Sequence, residues 1–550
     1  NCKQNFTIEP EDFAFYERIN VPPPTWCWEC RFMRRIAARP SRTLYKDNCD
    51  LCKKEVVSEF HPESPFPVYC TPCWYSDNWD ALSYGQEYDF SKPFFEQFRK
   101  LQNVVPREAT RMKNSPGSRY CQATDNCKNC YMLAGGYYSE DCLYGSPIFS
   151  RTSVDCDFVL NATNCYESVR SSNIFKTHFS WYADDCLDST FLFDCKGCTS
   201  CFGCVNIRGQ QYRIFNKQYT KDEYHREMEY WDLGSYARFQ EAQQRFRELY
   251  LSVPHRAVIS VNVVDVVGND LHNTKNCNVC FATVDGVENC RFVYAGGLLL
   301  KDSYDVTSGG DKSQLLYDTV SVIGCESLKF CNGASQSRRV EYSERSWDCV
   351  DVFGSVNLRH KKYCILNKQY SKEEYKNVLA KIVEKMKVDG EYGEFFPPAM
   401  SIYPYNLSWA SDFYPLSKDQ IQKASLFWYE RKKPDYVIDV TQDKIPDHVR
   451  DADKSFAQKV IECGHRGTCN HQCTTAFRVI PEELEFLQQQ SIALPRLCPN
   501  CRFFERYANK YFFHLYHRKC ANCPNEFETT YAPDRPEIIY CDACYKAEFL

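Results

Sequence analysis

The sequence CFGCVNIRGQQYRIFNKQYTKDEY at residues 201–224 recurs as VFGSVNLRHKKYCILNKQYSKEEY at residues 352–375, at an offset of 151. Both copies end in a Thr or Ser followed three residues later by Glu, a capping box that predicts the start of a helix. An amphipathic segment ending in Val-Pro precedes each unit, PFFEQFRKLQNVVPR before the first and ARFQEAQQRFRELYLSVPH before the second. The sequence therefore predicts two tandem units, a first unit over residues 90–230 and a second unit over residues 235–390.

Short apolar or β-branched pieces alternate inside both units with Asn, Asp, Ser, Gly and Cys, as in SEDCLYGSPIF and DDCLDSTFLFDC. This texture is typical of strands separated by turns. An Asp-Cys or Asn-Cys step before each apolar piece favours a stacked β-solenoid in which small Cys and Ser side chains form interior ladders. A β-sandwich is the alternative fold. Residues 391–460 are predicted to be a linker whose aromatic segments dock on a neighbour.

A second duplication joins the two ends of the chain, because residues 2–73 and residues 473–544 match at a constant offset of 471. Each cysteine of the first segment has a counterpart in the second, and Pro10 and Pro481 both stand where a helix is expected to begin. These matches predict two related terminal modules, over residues 1–85 and 461–550. The overall fold class expected is mainly β with helices: two β-solenoid-like units flanked by double zinc-ribbon modules similar to treble clefs.

The chain has 34 cysteines in 550 residues, which indicates either a disulfide framework or bound metal. The terminal pairs are mostly Cys-x2-Cys, the spacing of a knuckle that directs two thiolates at one tetrahedral ion, so zinc is the expected cofactor. Reduced thiols predict the cytoplasm or another reducing compartment, or the virion if a virus encodes the protein.

Two hairpin sites with four cysteines each are the clearest predicted zinc ligands: Cys49, Cys52, Cys70 and Cys73, and their copies Cys520, Cys523, Cys541 and Cys544. Four thiolates leave no open coordination position, which favours a structural over a catalytic ion. Each module has a further predicted site: Cys2, Cys27 and Cys30 in the first, and Cys469, Cys473, Cys498 and Cys501 in the last. Cys463, His465 and His471 are alternatives there. Eight ligands per module predict about four zinc ions per complete chain, with one ligand of the first module expected upstream of Asn1.

A basic stretch follows Cys30 and is the candidate nucleic-acid contact, comprising Arg31, Arg34, Arg35, Arg39, Arg42 and Lys46. Arginines among aromatic residues suit phosphate contact and base stacking. The alternatives are a solvated helix face, or arginines that hold the two zinc sites together through carboxylates. The net charge of -5 argues against a uniformly polycationic coat but not against a local basic face.

Two further patterns, one of cysteines and one of carboxylates, could carry chemistry. Cys195, Cys198, Cys201 and Cys204 have a spacing similar to iron–sulfur ligands, but the second unit has Ser346, Cys349, Val352 and Ser355 there, which favours interior packing. No phosphate loop, nucleophile elbow or paired-His metal helix occurs in the sequence. Carboxylates on a solenoid face could cleave glycans, and the candidates are Asp155, Asp157, Asp184, Asp185 and Asp194, although turn chemistry explains them more simply.

The strings PEDFAFYERINVPPPTWCWECRFMRR, SDNWDALSYG, EYGEFFPP and YAPDRPEIIYCDAC, with the repeated segment at residues 201–219, together resemble an uncharacterised family. Its members are cysteine-rich zinc-ribbon and β-solenoid proteins of reduced-genome bacteria and large DNA viruses. The resemblance covers nearly the whole chain and implies zinc ligands but no activity, substrate or partner. Cys469-x3-Cys473 departs from the tighter pair expected.

The function expected is a non-catalytic zinc-binding scaffold or interaction protein, with nucleic acid or ribonucleoprotein slightly favoured as partner. The alternatives are a structural component of a virion or other large assembly and a glycan-active β-solenoid enzyme.

Overall fold

The computed structural model of the protein describes residues 2–320, 322–431, 436–507 and 513–549. The first terminal module contains α1 (Pro10–Arg18), α2 (Trp28–Ala37), β1 (Tyr45–Asn48), β2 (Glu55–Ser58), β3 (Val68–Tyr69), α3 (Thr71–Trp74) and a 3-10 helix at Ala81–Tyr84. α1 begins at the predicted proline, whose fixed φ suits the first helical position. β1 and β2 form an antiparallel hairpin.

The first unit begins with a helix and continues as a sheet of short strands. Its elements are α4 (Phe94–Val104), β4 (Arg107–Glu108), β5 (Met112–Lys113), β6 (Gln122–Asp125), β7 (Ala134–Tyr137), β8 (Ser146–Ile148), β9 (Asp157–Thr163), β10 (Ser172–His178), β11 (Trp181–Asp184), β12 (Leu187–Lys196), β13 (Thr199–Val205), β14 (Gln211–Ile214), β15 (Lys217–Gln218) and α5 (Lys221–Tyr230). Strands β5 to β15 form one sheet in sequence order, and neighbours are parallel from β5 to β14. α5 begins at the predicted capping box.

Neighbouring strands of this sheet keep a nearly constant separation along the chain. Gln122 lies opposite Ala134, and Leu187 lies opposite Thr199. Hydrogen bonds between neighbouring segments span the same separation of 12 residues, as from the N–H of Ala162 to Ser150 Oγ. Isolated bridges outside the strands repeat this register. The chain therefore returns to the same position of the sheet at a regular interval.

The second unit repeats this arrangement with less regular spacing. Its elements are α6 (Tyr236–Ser252), β16 (His255–Arg256), β17 (Ser260–Asn269), β18 (Leu271–Phe281), β19 (Val287–Gly296), β20 (Thr307–Gly309), β21 (Val322–Ile323), β22 (Ala334–Ser335), β23 (Arg338–Glu341), β24 (Ser346–Trp347), β25 (Val350–Phe353), β26 (Lys362–Ile365), β27 (Lys368–Gln369) and α7 (Lys372–Asp389). The step from Ser260 to its parallel partner Leu271 is shorter than in the first unit, and the step from Thr274 to Val287 is longer.

A period of three residues governs the backbone inside the first unit. From Phe158 to Asp194 every third residue has a positive φ, in the left-handed region. The residue after each of these, from Val159 through Cys195, is at most 3% exposed. These positions hold Cys, Ser, Ala, Thr, Val, Ile and Leu, none of which has a ring or a charge. One side chain in three is therefore buried inside the unit.

The segment between the second unit and the last module is packed against the rest of the chain. It contains α8 (Trp409–Phe413), α9 (Lys418–Lys423) and 3-10 helices at Pro398–Met400, Tyr405–Leu407, Gln442–Lys444, Val449–Asp451 and Lys454–Gln458. The ring of Tyr403 stacks on Phe60 of the first module at 5.5 Å between centroids. The segment is held in place and is not a free linker.

The last module contains β28 (Ile461–Glu462), β29 (Ala476–Phe477), α10 (Pro481–Gln489), α11 (Pro499–Tyr507), β30 (Tyr516–Lys519), β31 (Glu526–Thr529), β32 (Ile539–Tyr540) and α12 (Asp542–Phe549). The starts of α10, α11, β30, β31 and β32 match those of α1, α2, β1, β2 and β3 at the offset that relates the cysteines of the two modules. Two short parallel pairings attach the modules, β3 to β4 and β32 to β16.

The protein is thus a mixture of helices and strands that carries several cysteine clusters. Among the described residues no helix combines the length and the apolar character needed to span a bilayer.

Candidate metal centres

The two predicted hairpin sites each bring four thiols together. The Sγ atoms of Cys49, Cys52, Cys70 and Cys73 lie within 4.8 Å of one another, and so do those of Cys520, Cys523, Cys541 and Cys544. The Sγ atoms of Cys52 and Cys70 are 3.7 Å apart, as are those of Cys523 and Cys541. A tetrahedral zinc ion with bonds of about 2.3 Å to sulfur requires edges of about 3.8 Å, whereas a disulfide requires about 2.05 Å. The spacing fits a metal ion.

Local backbone geometry favours the thiolate form of one cysteine in each hairpin site. The backbone N–H of Cys70 donates to Cys49 Sγ at 3.2 Å, and that of Cys541 donates to Cys520 Sγ at 3.3 Å. Burial opposes ionisation of the Cys49 thiol, but backbone N–H groups lower its pKa to about 7. The same balance lowers the pKa of Cys520 to about 6. Both shifts favour the thiolate, which is the form that coordinates metal.

The other site of the last module differs from the predicted ligand set. Cys463, Cys473, Cys498 and Cys501 form one group, and Cys469 lies with His465, His471 and Cys501 in another. Cys469 and Cys473, which were predicted to be one pair, therefore belong to different groups, and the alternatives Cys463, His465 and His471 are members of these groups. β28 pairs antiparallel with β29, and the N–H of Cys463 donates to the carbonyl of Thr475 at 2.8 Å. That register brings Cys463 beside Cys473 and leaves Cys469 in the loop between the strands.

Three predicted ligands of the first module also come together. Cys2, Cys27 and Cys30 form a group, with 3.7 Å between the Sγ atoms of Cys2 and Cys27. They correspond by the offset of 471 to Cys473, Cys498 and Cys501. Within the described part of the chain no fourth donor joins this group.

The arginines of α2 are buried against carboxylates of the second unit. We call Arg31, Arg34 and Arg35, with Asp305 and Asp318, the first clamp. Arg31 Nε donates to both carboxylate oxygens of Asp305 at 3.1 Å. Arg35 Nη1 lies 2.9 Å from Asp305 Oδ1 and from Asp318 Oδ1, and Arg34 Nη2 lies 2.6 Å from Asp318 Oδ2.

The three guanidinium groups of the first clamp are consequently inaccessible to nucleic acid. Arg31, Arg34 and Arg35 are at most 4% exposed. The nucleic-acid assignment of these residues is wrong, because their charges are already neutralised inside the protein. Their carboxylate partners belong to the second unit, which differs from the alternative prediction that these arginines hold the two zinc sites together.

The remaining three residues of the basic stretch do not form a basic face either. The Arg39 guanidinium lies 4.7 Å from the ring centroid of Trp409. Arg42 lies 3.4 Å from the ring centroid of Phe503 and pairs with Asp157 at 3.0 Å. Lys46 is exposed and pairs with Glu55 at 3.8 Å. One exposed lysine does not make a phosphate-binding groove.

The last module has an equivalent arrangement that sequence reasoning missed. We call Arg502 and Arg506 of α11, with Asp155 and Asp157 of the first unit, the second clamp. Arg502 Nε lies 2.8 Å from Asp155 Oδ2, and Arg506 Nη1 and Nη2 lie 3.0 Å from Asp155 Oδ1 and Asp157 Oδ2. Arg502 and Arg506 correspond to Arg31 and Arg35 at the offset of 471. That match in the sequence was the signal from which the second clamp could have been predicted.

Each clamp joins a terminal module to the unit that is more distant from it in sequence. α2 of the first module lies on the second unit, where Phe32 contacts Tyr294 at 5.4 Å between ring centroids. α11 of the last module lies on the first unit, where Tyr507 contacts Trp181 at 6.0 Å. Each module also pairs a strand with the segment that leads into the other unit, as β3 does with β4 and β32 with β16. Each module therefore contacts both units.

The carboxylates considered for glycan cleavage all have protein partners. Asp155 and Asp157 belong to the second clamp, and Asp194 pairs with Arg208 at 2.7 Å and accepts a hydrogen bond from Tyr545 at 2.9 Å. Asp184 accepts from Ser172 Oγ at 2.6 Å, and Asp185 accepts from Asn173 at 3.0 Å.

The thiols of Cys195, Cys198, Cys201 and Cys204 are buried in the interior of the first unit. Cys195 Sγ donates to the carbonyls of Phe193 and Cys204, both at 3.4 Å, and the other three donate to carbonyls at the same two spacings along the chain. These four cysteines are absent from the candidate metal groups of the described residues. The four cysteines are thus packed in the interior of the unit, as the preferred prediction has it.

Comparison with known proteins gives no identity. No protein-family model matches the chain. No curated protein matches it. A solved structure of a "putative acetyltransferase" from Desulfovibrio desulfuricans G20 aligns at 12% identity over 52% of this chain and 80% of that one, with a TM-score of 0.09. So low a score carries no argument about fold or function.

Proposed function

We propose that the protein is a non-catalytic, zinc-stabilised scaffold. In this proposal the terminal modules are double zinc ribbons and the two units are short β-solenoids. Two observations support the solenoid interpretation: the regular strand register, with hydrogen bonds between segments separated by 12 residues, and the buried position at every third residue. The predicted family resemblance, to cysteine-rich proteins of reduced-genome bacteria and large DNA viruses, is compatible with it.

The observation that carries this proposal is the crossed pair of clamps. Metal binding would hold α2 and α11 in their modules, because Cys30 and Cys501 lie within these helices. The same helices carry the arginines that insert into the opposite units. Hairpin sites with four thiolates leave no open position for a substrate or water, which supports a structural ion. Zinc in this arrangement would join modules to units instead of catalysing a reaction.

The partner proposed is a protein assembly instead of nucleic acid. Five of the six residues expected to bind phosphate are buried or half-buried and are engaged with carboxylates or aromatic rings. By contrast, Tyr137, Tyr138 and Phe149 are 42%, 49% and 51% exposed and lie together, with 5.5 Å between the stacked rings of Tyr138 and Phe149. Exposed aromatic clusters favour protein contacts. This cluster supports the second candidate, a structural component of a virion or other large assembly.

Metal analysis of the purified full chain tests the scaffold proposal. The two hairpin sites and the Cys463 group require at least three zinc ions per chain at four ligands per ion. Chelation should raise hydrogen exchange in both terminal modules while the interior strands of the units keep their protection. Terminal modules that are folded without zinc, or exchange in those modules that is unchanged after chelation, would overturn the proposal.

Light scattering across a concentration series tests the assembly candidate. Substitution of Tyr137, Tyr138 and Phe149 by Ser should reduce self-association or co-assembly. Val388, which is 84% exposed and isolated on α7, provides the control substitution Val388→Ser. A wild-type protein that remains monomeric at high concentration counts against this candidate and leaves the scaffold proposal standing.

A further inference from the structure

The last module contains two donor groups that meet at one thiol. Cys501 belongs both to the group with Cys463, Cys473 and Cys498 and to the group with His465, Cys469 and His471. Cys501 Sγ lies 3.8 Å from Cys463 Sγ and 3.7 Å from Cys469 Sγ. Both distances are close to the edge of about 3.8 Å that a tetrahedral zinc–thiolate centre requires. The sulfur of Cys501 is therefore placed where it could be a corner common to two tetrahedra.

The number of donors also matches two ions with one shared ligand. A single tetrahedral zinc ion uses four ligands, and a second ion that shares one corner with it needs three more. The two groups together contain seven donors, which is four plus three. A single ion would leave three of these donors without a metal.

The histidine rings show the condition expected of ligands. Within the described part of the chain, the Nδ1 atoms of His465 and His471 are shielded from solvent and have no hydrogen-bond partner. Glu505 Oε1 lies 3.9 Å from His471 Nδ1, which is beyond hydrogen-bond distance. Leaving such a nitrogen unsatisfied costs free energy unless another group, such as a metal ion, takes its lone pair. The opposite nitrogen of His465, Nε2, lies 3.5 Å from Glu505 Oε1. A carboxylate on the far nitrogen is the usual support of a metal-bound imidazole.

Glu505 marks the difference between the two modules. Its counterpart at the offset of 471 is Arg34, which belongs to the first clamp. An acidic residue here cannot pair with a carboxylate of the first unit, but it can support the histidines of its own module. His471 also stacks on Phe504, with 5.3 Å between ring centroids, which holds the imidazole in position.

We propose that the last module binds, besides the ion of its hairpin site, two zinc ions bridged by the thiolate of Cys501. One ion would have four thiolate ligands, and the other would have Cys469, Cys501, His465 and His471. The proposal rests on the metal loading proposed above and specifies where one further ion binds.

The test compares the full-length protein with His465→Ala/His471→Ala and with a matched control, His514→Ala/His517→Ala. The control removes two exposed histidines from the same module. Metal content is measured by elemental analysis after zinc loading and gel filtration. The His465 and His471 variant should lose one ion per chain, and the control should lose none. Unchanged content in the first variant overturns the proposal.

Cadmium-113 substitution tests the bridge itself. Two cadmium resonances that are split by mutual coupling would show that one sulfur joins the two ions, and the splitting should disappear in the His465→Ala/His471→Ala variant. Two uncoupled resonances overturn the bridge. The hairpin sites serve as internal standards: if they bind cadmium and the second ion is absent, only this inference fails. If no site binds metal, the proposed function fails as well.

Discussion

Asp305 is the carboxylate that two arginines of the first clamp share. It is fully buried and accepts hydrogen bonds from Arg31 and Arg35. Removal of one partner from a buried ion pair leaves an uncompensated charge, which costs about 3–5 kcal/mol. We expect Asp305→Asn to lower the free energy of unfolding by about 3 kcal/mol, measured by urea denaturation of the metal-loaded protein.

Asp302 provides the control for that substitution. Like Asp305 it has a positive φ, but its side chain is 29% exposed and lies 3.7 Å from the mostly exposed Arg18. Surface pairs contribute about 0–1 kcal/mol, so Asp302→Asn should have a small effect. Equal destabilisation by the two substitutions would show that the clamp contributes nothing beyond local backbone geometry.

Asp412 should make stability depend on pH. It accepts hydrogen bonds from Ser41 Oγ at 2.8 Å and from Gln472 at 3.1 Å, and so joins three parts of the chain. Burial raises the pKa of Asp412 to about 7. The unfolded state, with a pKa of about 4, releases this proton first, so the contribution of Asp412 to stability falls as the pH rises from about 4 to 7.

Asp412→Asn removes that titration and should stabilise the protein above pH 7 but not below pH 4. Three pKa units correspond to at most about 4 kcal/mol, and the partial exposure of the residue reduces the expected gain to about 1–2 kcal/mol. Melting temperatures of wild type and variant between pH 4 and pH 8 provide the measurement. The exposed Asp419→Asn serves as control, and a constant difference across this pH range would contradict the assignment.

At the scale of the elements, the strand repeats of the first unit place backbones in close contact. Gly145 has a φ of +76°, and a Cβ there would overlap the carbonyl oxygen of Cys156 in the next repeat. Gly209 has a φ of +60°, and nothing lies within 4 Å of its Cβ position. A comparison of the two glycines thus distinguishes the cost of backbone strain from the cost of steric contact.

Alanine at these two glycines should have unequal effects. Gly209→Ala incurs only the left-handed penalty of about 1–2 kcal/mol. Gly145→Ala adds overpacking of about 1–3 kcal/mol, because a backbone carbonyl must move. Denaturation midpoints compare the two variants. Equal midpoints would mean that neighbouring repeats are not packed as closely as the structure has them.

The Asp-Cys and Asn-Cys steps have a backbone origin that the sequence pattern alone does not reveal. In Asp141-Cys142 and Asn164-Cys165 the first residue has a positive φ and the second is fully buried. Asn and Asp tolerate that conformation best among residues with a Cβ. The period of three is not apparent from the sequence, because interior Ser and Thr hide it from a hydrophobicity pattern and uneven repeats interrupt it.

The Cys-x2-Cys spacing consequently has two physical origins in this chain. In Cys49 and Cys52 it belongs to a hairpin turn that directs two thiols to one point. In Cys127 and Cys130 it is one step of the three-residue period, and both thiols are buried inside the first unit. The hairpin sites could be predicted because their ligands are local pairs. Cys463 could not be assigned to its donor group from the sequence, because it is the pairing of β28 with β29 that brings it beside Cys473.

At the scale of the whole molecule, the modules connect parts that are distant in sequence. Arg31 and Asp305 are separated by 274 residues, and Arg506 and Asp157 by 349. No periodicity or spacing links such pairs, which is why sequence reasoning leaves the arginines open between an external partner, a solvated helix face and carboxylates of the protein itself. The crossing also means that neither unit is stabilised only by the module nearest to it in sequence.

The crossed arrangement predicts which unit will lose protection from hydrogen exchange when the arginines of one module are replaced. Arg31→Met/Arg35→Met should raise hydrogen exchange around Asp305 and Asp318 in the second unit, while residues 155–167 of the first unit keep their protection. Arg502→Met/Arg506→Met should do the reverse. Methionine retains much of the apolar stem but removes the charge.

The size of the effect follows from the buried pairs. A loss of about 3 kcal/mol of local stability corresponds to roughly a hundredfold increase in exchange, because each 1.4 kcal/mol is about tenfold. Hydrogen exchange read by mass spectrometry resolves the two regions in one experiment. Increased exchange in the unit adjacent in sequence, or in both units equally, would contradict the crossing. It would also remove the observation on which the scaffold proposal depends, because that proposal assigns the modules a structural role on the ground that α2 and α11 pack against the opposite units.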